Sequence, residues 1–263
     1  MFFKIGGAHN ARPALCHNRP SHKLLLLKMP SDPEIQDHRP RVAAERRARM
    51  RRRLIESAMI VFAQRGIGSS AIPEVIAAAG VSQGSFYNYF RTNDDLLAAV
   101  SDALSHDMVQ MIEGVVADVD DPALRVATAG RLYLHLVRAY PVVARFLAAT
   151  GFSLVGKKSA IYEQLPADIK DGVKRGAFDA DAADIGLDLA TGAALIAVQR
   201  MAKGRTAKDY PERIVRAVLK SLGVPAASAA KLIAAPLPKL VAPPESLLKT
   251  AQQKLAALAE AAS

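Results

Sequence analysis

The run Gln83-Gly84-Ser85-Phe86-Tyr87-Asn88-Tyr89-Phe90 holds side chains whose chemistry suits a nucleic-acid surface. A glutamine amide can pair with adenine in a bidentate manner, and a serine hydroxyl reaches either kind of base edge. Gly84 lets a backbone come close to another molecule. The N–H groups exposed at a helix start attract phosphate. Ser82 is a favoured N-cap, so the run predicts a helix that starts at Gln83 and ends near Phe90. Phe86 and Phe90, four apart, can then pack inward together. Gln83, Ser85, Tyr87 and Asn88 are left on the other faces, with Gln83 and Tyr87 aligned.

What must position these groups lies just upstream. Residues 71–79 carry Ile72, Val75, Ile76 and Ala79 at helical spacing, with Ser70 in front of them. Gly80 supplies a turn in which a positive φ costs little. Two short helices joined by a glycine turn make the helix-turn-helix pattern, whose second helix enters the DNA major groove. The competing reading is an ordinary helical hairpin with all its aromatics in the core.

Charge is distributed unevenly along the chain. The whole carries +10, of which residues 39–53, RPRVAAERRARMRRR, hold +7 and residues 1–38 only +2. A basic stripe abutting a helix-turn-helix is what phosphate contacts require. Arg46, Arg47, Arg49 and Arg53 are the candidates, and Ser70 is added from the edge of the motif. A solvated basic face is the alternative.

The text FAQRGIGSSAIPEVIAAAGVSQGSFYNYFRTNDDLL, with its AGVSxGxxYxxF core and following acidic DDLL, resembles the TetR (tetracycline-repressor-like) family of transcription regulators. The resemblance runs from helix one to the start of helix four; beyond that only the helical layout agrees. It implies that Gln83, Ser85, Tyr87 and Tyr89 face DNA while Phe86 and Phe90 point inward. It also implies that the last two long apolar helices build a dimer four-helix bundle. Two positions depart from the family pattern. Pro73 stands in the first turn of helix two, where it removes one N–H. Asn93 stands where the family often has a phosphate-binding lysine.

The remaining periodicity is helical throughout. Helix one is expected over residues 42–64, with Leu54, Ile55, Ala58, Val61 and Phe62 inward and Gly66 past its end. Thr92 and Asp95 approximate a capping box for helix four, whose stripe is Leu97, Val100, Leu104, Met108, Met111 and Val115. A fifth helix is expected between Pro122 and Pro141, and a short sixth to Thr150. Residues 159–176 follow with a break at Pro166, and then the apolar stretches 180–203 and 211–222. A proline-punctuated tail closes on an amphipathic helix over residues 246–262, which either caps the second domain or hangs free.

Other chemistries fare worse. Residues 151–158 nearly spell a phosphate-binding loop, but Lys158 stands where Ser or Thr must hold Mg²⁺, and no strand precedes it. The six histidines form no metal-ligand cluster, and no catalytic triad or carboxylate pair can be argued. No enzyme activity, cofactor or metal is expected. Cys16 is the only cysteine, so no disulfide framework exists within one chain. The run 24–27 is too short to span a bilayer, no membrane segment is expected elsewhere, and a cytoplasmic location fits.

The expected architecture is all-α. It comprises a disordered extension over residues 1–40, with Met29 a possible alternative start, and a helix-turn-helix DNA-binding domain over 41–107. A helical effector-binding and dimerisation domain over 108–223 and a Pro/Ala-rich tail over 224–263 complete it. The expected partners are double-stranded operator DNA, a second copy of the chain, and a mainly apolar small-molecule effector. Candidate pocket residues are Met108, Met111, Tyr133, His135, Phe146, Phe152 and Tyr162. An architectural DNA-coating protein without an effector is the competing function.

Overall fold

A computed structural model describes residues 38–68, 71–151, 160–204 and 206–261. Met1–Val42 and Ala43–Ser263 form two compact units. The described part of the first is the opening of α1 (His38–Arg65). The second unit holds the rest of α1, then α2 (Ala71–Ala79), α3 (Gln83–Tyr87), α4 (Asn93–Val116), α5 (Pro122–Ala139) and α6 (Pro141–Thr150). After these come α7 (Ala160–Lys174), α8 (Ala182–Ala202), α9 (Tyr210–Ser221), α10 (Ala226–Ala234) and α11 (Leu247–Ala261).

The helix starts follow local chemistry. Thr92 Oγ1 accepts the Asp95 N–H at 3.0 Å while an Asp95 oxygen accepts the Thr92 N–H at 3.2 Å, so the capping box of α4 is complete. Asp121 Oδ1 accepts from Ala123 and Leu124 at the head of α5, with Pro122 in the first turn, where its missing N–H does no harm. Gly66 ends α1 and Gly80 makes the turn after α2, both at positive φ (82° and 59°).

One continuous core joins these helices. Leu54, Ala58, Met59 and Phe62 of α1 meet Val75, Ala79, Phe86, Phe90, Leu96, Leu97 and Val100, all buried. Further along, Leu104, Met108, Ile112 and Val116 of α4 join Val126, Phe146, Ile169, Val198, Val215 and Leu219. Phe62 and Phe146, with ring centroids 6.4 Å apart, connect the two regions. Gly186 of α8 is buried against Leu222 and Ile169; a Cβ there would stand 2.8 Å from the Leu222 side chain, which would have to shift to admit it.

Several expectations need correction. α1 begins at His38, so the last residues of the stretch expected to be irregular are helical; residues 1–37, with Cys16 and the run 24–27, lie outside the described residues. α3 ends at Tyr87, although the Phe90 N–H still reaches the Phe86 carbonyl at 3.1 Å. α7 runs through Pro166 without a break; the missing hydrogen bond is tolerated in a helix pinned by buried Ile169 and packed against α4, α5 and α8. α10 adds a helix to the expected set, and the tail helix is docked rather than free. Finally, α8 is long and apolar enough, by length and composition alone, to cross a membrane.

Phe86 is wholly buried and Tyr87 is 46% exposed. Phe86→Ala is expected to lower unfolding free energy by about 3–5 kcal/mol, read from chemical denaturation. Tyr87→Ala should stay within about 1 kcal/mol of the parent. Equal effects for the two would contradict the inward placement of Phe86.

Candidate nucleic-acid interface and internal cavity

The helix-turn-helix presents a polar surface because its apolar side chains are used inside. Ser82 caps α3 through its hydroxyl oxygen, which accepts the Ser85 N–H at 3.2 Å, and the two hydroxyls are 2.9 Å apart. Gln83, Gly84, Tyr87 and Asn88 are exposed and Ser85 is half-buried. Tyr89 departs from this set: it is half-buried and packs against the core. Ser85, Asn88 and Tyr89 share a surface cleft with Arg47 and Met50 of α1, so the long helix and the short one form one face. Ser70 lies outside the described residues.

The arginines of α1 divide by partner. Arg52 is held by Glu56 at 3.1 Å, and the Arg51 guanidinium lies 5.4 Å from the centre of the Phe90 ring. Arg53 lies over the turn, since a Cβ on Gly80 would meet its guanidinium at 2.9 Å. Arg46, Arg47, Arg49 and Arg53 are exposed on the helix. Asn93 turns away from this surface: its amide donates to the Ile67 carbonyl at 2.9 Å, bracing the loop after α1.

A cavity of about 500 Å³ opens between α4, α5, α6, α7, α8 and α9. That is within the range of small-molecule sites, roughly 300–1,000 Å³. Its wall is mostly apolar, with Leu104, Met108, Ile112, Val126, Leu134, Phe146 and Val215 among it. Of the expected pocket residues, Met108, Tyr133 and Phe146 line it. Met111 does not, because it projects from a different side of α4. His135 does not either: its Nε2 is 2.7 Å from Glu212 Oε1. Phe152 and the Tyr162 side chain lie outside the described residues. So does most of the loop resembling a phosphate-binding motif, into which a helix, α6, leads.

The polar groups of the wall come as a network. Arg125 donates to Glu113 at 2.6 Å, to Asp168 at 3.0 Å and to the Val116 carbonyl. Burial disfavours its charge, but the hydrogen bonds to Asp168 and Glu113 outweigh this and hold the guanidinium above its ordinary value. Glu113, Asp168 and Gln164 face the cavity, and among its described lining residues there is no Lys, Arg or His. Beside the cavity, burial raises Glu212, while the His135 contact and the Arg131 charge bring it below the usual carboxylate range. These ion pairs were invisible in sequence, since the partners stand 12 or more positions apart.

A further surface feature lies on α8. Ile185, Leu189 and Ile196 are 51%, 39% and 50% exposed and follow one another at helical spacing, with exposed Gly192 between them. Among the described residues, no group of three His, Cys, Asp or Glu side chains is placed to hold a metal ion.

Comparison with known proteins agrees with this arrangement. Residues 54–100 match the family described as bacterial regulatory proteins, tetR family, and residues 121–235 match the tetracyclin repressor-like C-terminal domain. The HTH-type transcriptional repressor DhaR of Mycobacterium sp. (strain GP1) is 33% identical over 79 residues, 30% of this chain and 40% of that protein. An uncharacterized HTH-type transcriptional regulator of Mycobacterium tuberculosis is 28% identical over 113 residues, 41% of this chain and 56% of that one. The aligned stretches thus span roughly half the length of these relatives or less. The crystal structure of RolR in complex with the ligand resorcinol superimposes with a TM-score of 0.58 at 27% identity, covering 75% of this chain and all of that one. The structure of RolR without ligand gives a TM-score of 0.56 at 29% identity, over 72% of this chain and 99% of the other.

The exposed arginines generate a salt-dependence test. Changing Arg46, Arg47, Arg49 and Arg53 to Ala should weaken binding to all DNA sequences alike. The slope of log K against log salt should flatten by about 0.9 for each phosphate that is no longer neutralised. An unchanged slope would mean that the stripe is only a solvated face.

Proposed function

The chain belongs to the TetR family of bacterial regulatory proteins, and from that premise we propose that it is a dimeric, sequence-specific DNA-binding repressor, released from a palindromic operator by a mainly apolar small molecule. One observation carries the reading. A single unbroken helix, α4, starts against the recognition segment at Asn93 and lines the cavity from Ala98 to Glu113. Twenty residues of α-helix are a rod about 30 Å long. An occupant that displaces the far end of such a rod shifts the near end and, with it, α3.

Each part of the proposal has its own support. Gln83, Gly84, Ser85, Tyr87 and Asn88 are the candidate base and phosphate contacts, with Arg46, Arg47, Arg49 and Arg53 alongside and Ser70 added from sequence. Tyr89 is a weaker member, because its packing leaves less of it to touch DNA. The exposed apolar stripe of α8 supports self-association, since a contiguous apolar face in water marks an interaction surface. A two-fold dimer presents two recognition helices, which is why the operator should be a palindrome. Met108, Tyr133 and Phe146 are the retained ligand candidates. The apolar wall and the resorcinol bound by RolR support a small, mainly apolar effector. A cavity of this size also favours an effector-controlled regulator over an architectural protein, which has no use for one. A regulator of chromosomal genes works in the cytoplasm.

Energetics set the conditions. A ligand can release DNA only if it binds the DNA-incompetent state more tightly, and DNA must then weaken ligand binding by the same factor. Genome-wide mapping of bound sites, followed by operator titration with and without compounds from the neighbouring pathways, tests the whole reading. Gln83→Ala or Ser85→Ala should cost about 1–3 kcal/mol against the preferred site and leave nonspecific affinity intact. A natural effector should raise the melting temperature of the free protein and lower operator affinity at least about fivefold. A preferred site without two-fold symmetry would defeat the dimer. A tightly bound ligand that left operator affinity untouched would defeat the coupling through α4.

A further inference from the structure

The segment after residue 235 lies beyond both matched family regions, yet its last helix is fastened at three points. Asp107 Oδ2 of α4 accepts the Leu247 N–H at 2.6 Å, so α11 is capped by a side chain from another helix. Gln252 Oε1 accepts the Val142 N–H at 3.1 Å, satisfying a donor in the first turn of α6, whose N-cap residue, Tyr140, offers no side-chain bond. Lys254 Nζ donates to Ser57 Oγ of α1 at 2.9 Å. Leu247, Leu248 and Ala251 form the buried seam between these ties.

The three partners belong to different parts of the molecule. α4 and α6 wall the cavity through Leu104, Met108, Phe146 and Leu147. Ser57 is wholly buried in α1, one helical turn past Arg53 and just before Ala58, Met59 and Phe62 of the helix-turn-helix core. We propose that Lys254 and Ser57 are positioning residues for the recognition helix: α11 locks α1, and with it the helix-turn-helix, at one angle to the helices that enclose the cavity. The proposal rests on the DNA-binding reading for its consequence, but its geometry does not depend on it.

Physical chemistry makes this tie a directional one. α11 packs on α4 and α6, whereas the Lys254–Ser57 hydrogen bond reaches across to α1. Burial pushes the Lys254 amine below its ordinary value, Glu56 opposes that, and Arg53 adds to it. Ser57 is wholly buried and Lys254 only half-buried, so the bond is shielded from water mainly on the serine side. Breaking the bond therefore removes a polar tie that supplements the apolar packing of α1, while α11 stays seated on α4 and α6.

The test uses the full chain with Cys16→Ser, Ala78→Cys and Lys170→Cys, spin-labelled at the two new cysteines. These lie on exposed positions of α2 and α7. Labelled protein is diluted with unlabelled chain, so that pulsed dipolar spectroscopy reads the distance within one copy. The parent should give one narrow distance. Lys254→Met and Ser57→Ala should each replace that single distance with a broad distribution, and the double variant should be no broader than either. Lys249→Met, which removes the same charge from the same helix without breaking a tie, should keep the parent distance. Melting temperatures confirm that each variant is folded, and the milder Ser57→Ala serves if Lys254→Met is not. Distances in the folded variants indistinguishable from the parent would overturn the proposal. DNA titrations run in parallel keep the two readings apart. A parent that binds no DNA defeats the DNA-binding reading alone, whereas weakened specific binding in the broadened variants supports the positioning role.

Discussion

One apolar stripe along α4 has to satisfy two cores at once, and most of the molecule follows from that. Leu96, Leu97 and Val100 are buried with Phe86 and Phe90, while Leu104, Met108, Ile112 and Val116 are buried with residues of α5 to α9. Interiors are packed as densely as organic crystals, so α4 cannot slide or turn at one end without disturbing packing at the other. The capping box at Thr92 and Asp95 fixes where the rod begins. Its polar side is left to Ser101, Asp102 and Ser105, which share the cavity wall with the apolar residues. A helix that serves as the common wall of two cores is well suited to make a small displacement at one site felt at another.

Arginine is sorted by what surrounds it. Arg125 and Arg131 lie inside and are provided with acceptors: two carboxylates and a carbonyl for Arg125, the Ala235 carbonyl and the nearby Glu212 for Arg131. Removing one partner from such a buried set strands the other charge, which is more damaging than the pair is stabilising. On α1 most of the arginines stay in water, where a carboxylate pair contributes little. There the unneutralised charge is available to a polyanion. The two groups look alike in sequence and differ in the number of acidic side chains that the fold brings to them.

The helix-turn-helix was legible because its signals are local: Ser82, Gly80 and the Phe86–Phe90 pair act within a turn or two. Caps and prolines likewise marked α4, α5 and α9. What escaped depends on distant packing. Pro166 normally ends a helix, but buried Ile169 and the surrounding helices keep α7 continuous through it. The alanine-rich segment of α10 has good helix propensity but no clear stripe, and only Ala229 is fully buried. Met111 and Met108 look equivalent on a helical stripe, and only the neighbouring helices decide which of them meets the cavity. His135 looked like a pocket residue because Glu212, far away in sequence, gave no hint of its proximity. Tyr89, which the family resemblance turns toward DNA, is half-buried like Ser85 and shares a cleft with it and Arg47.

The outward stripe of α8 raises the last question, which is what a long apolar helix does at a surface. A membrane span would need apolar groups all around, because a bilayer leaves no polar side to point at water. α8 instead carries exposed Asp184, Asp188 and Arg200 on its flanks. Its opposite side is already committed: Gly186 admits Leu222 and Ile169, and Ala197 and Val198 are buried. Only a narrow strip through Ile185, Leu189 and Ile196 is left over, with Gly192 making room at its centre. A strip of that width suits one more helix rather than a lipid phase. In a closed homodimer the same strip on the second copy would be the helix that meets it, because a two-fold axis brings each surface against itself.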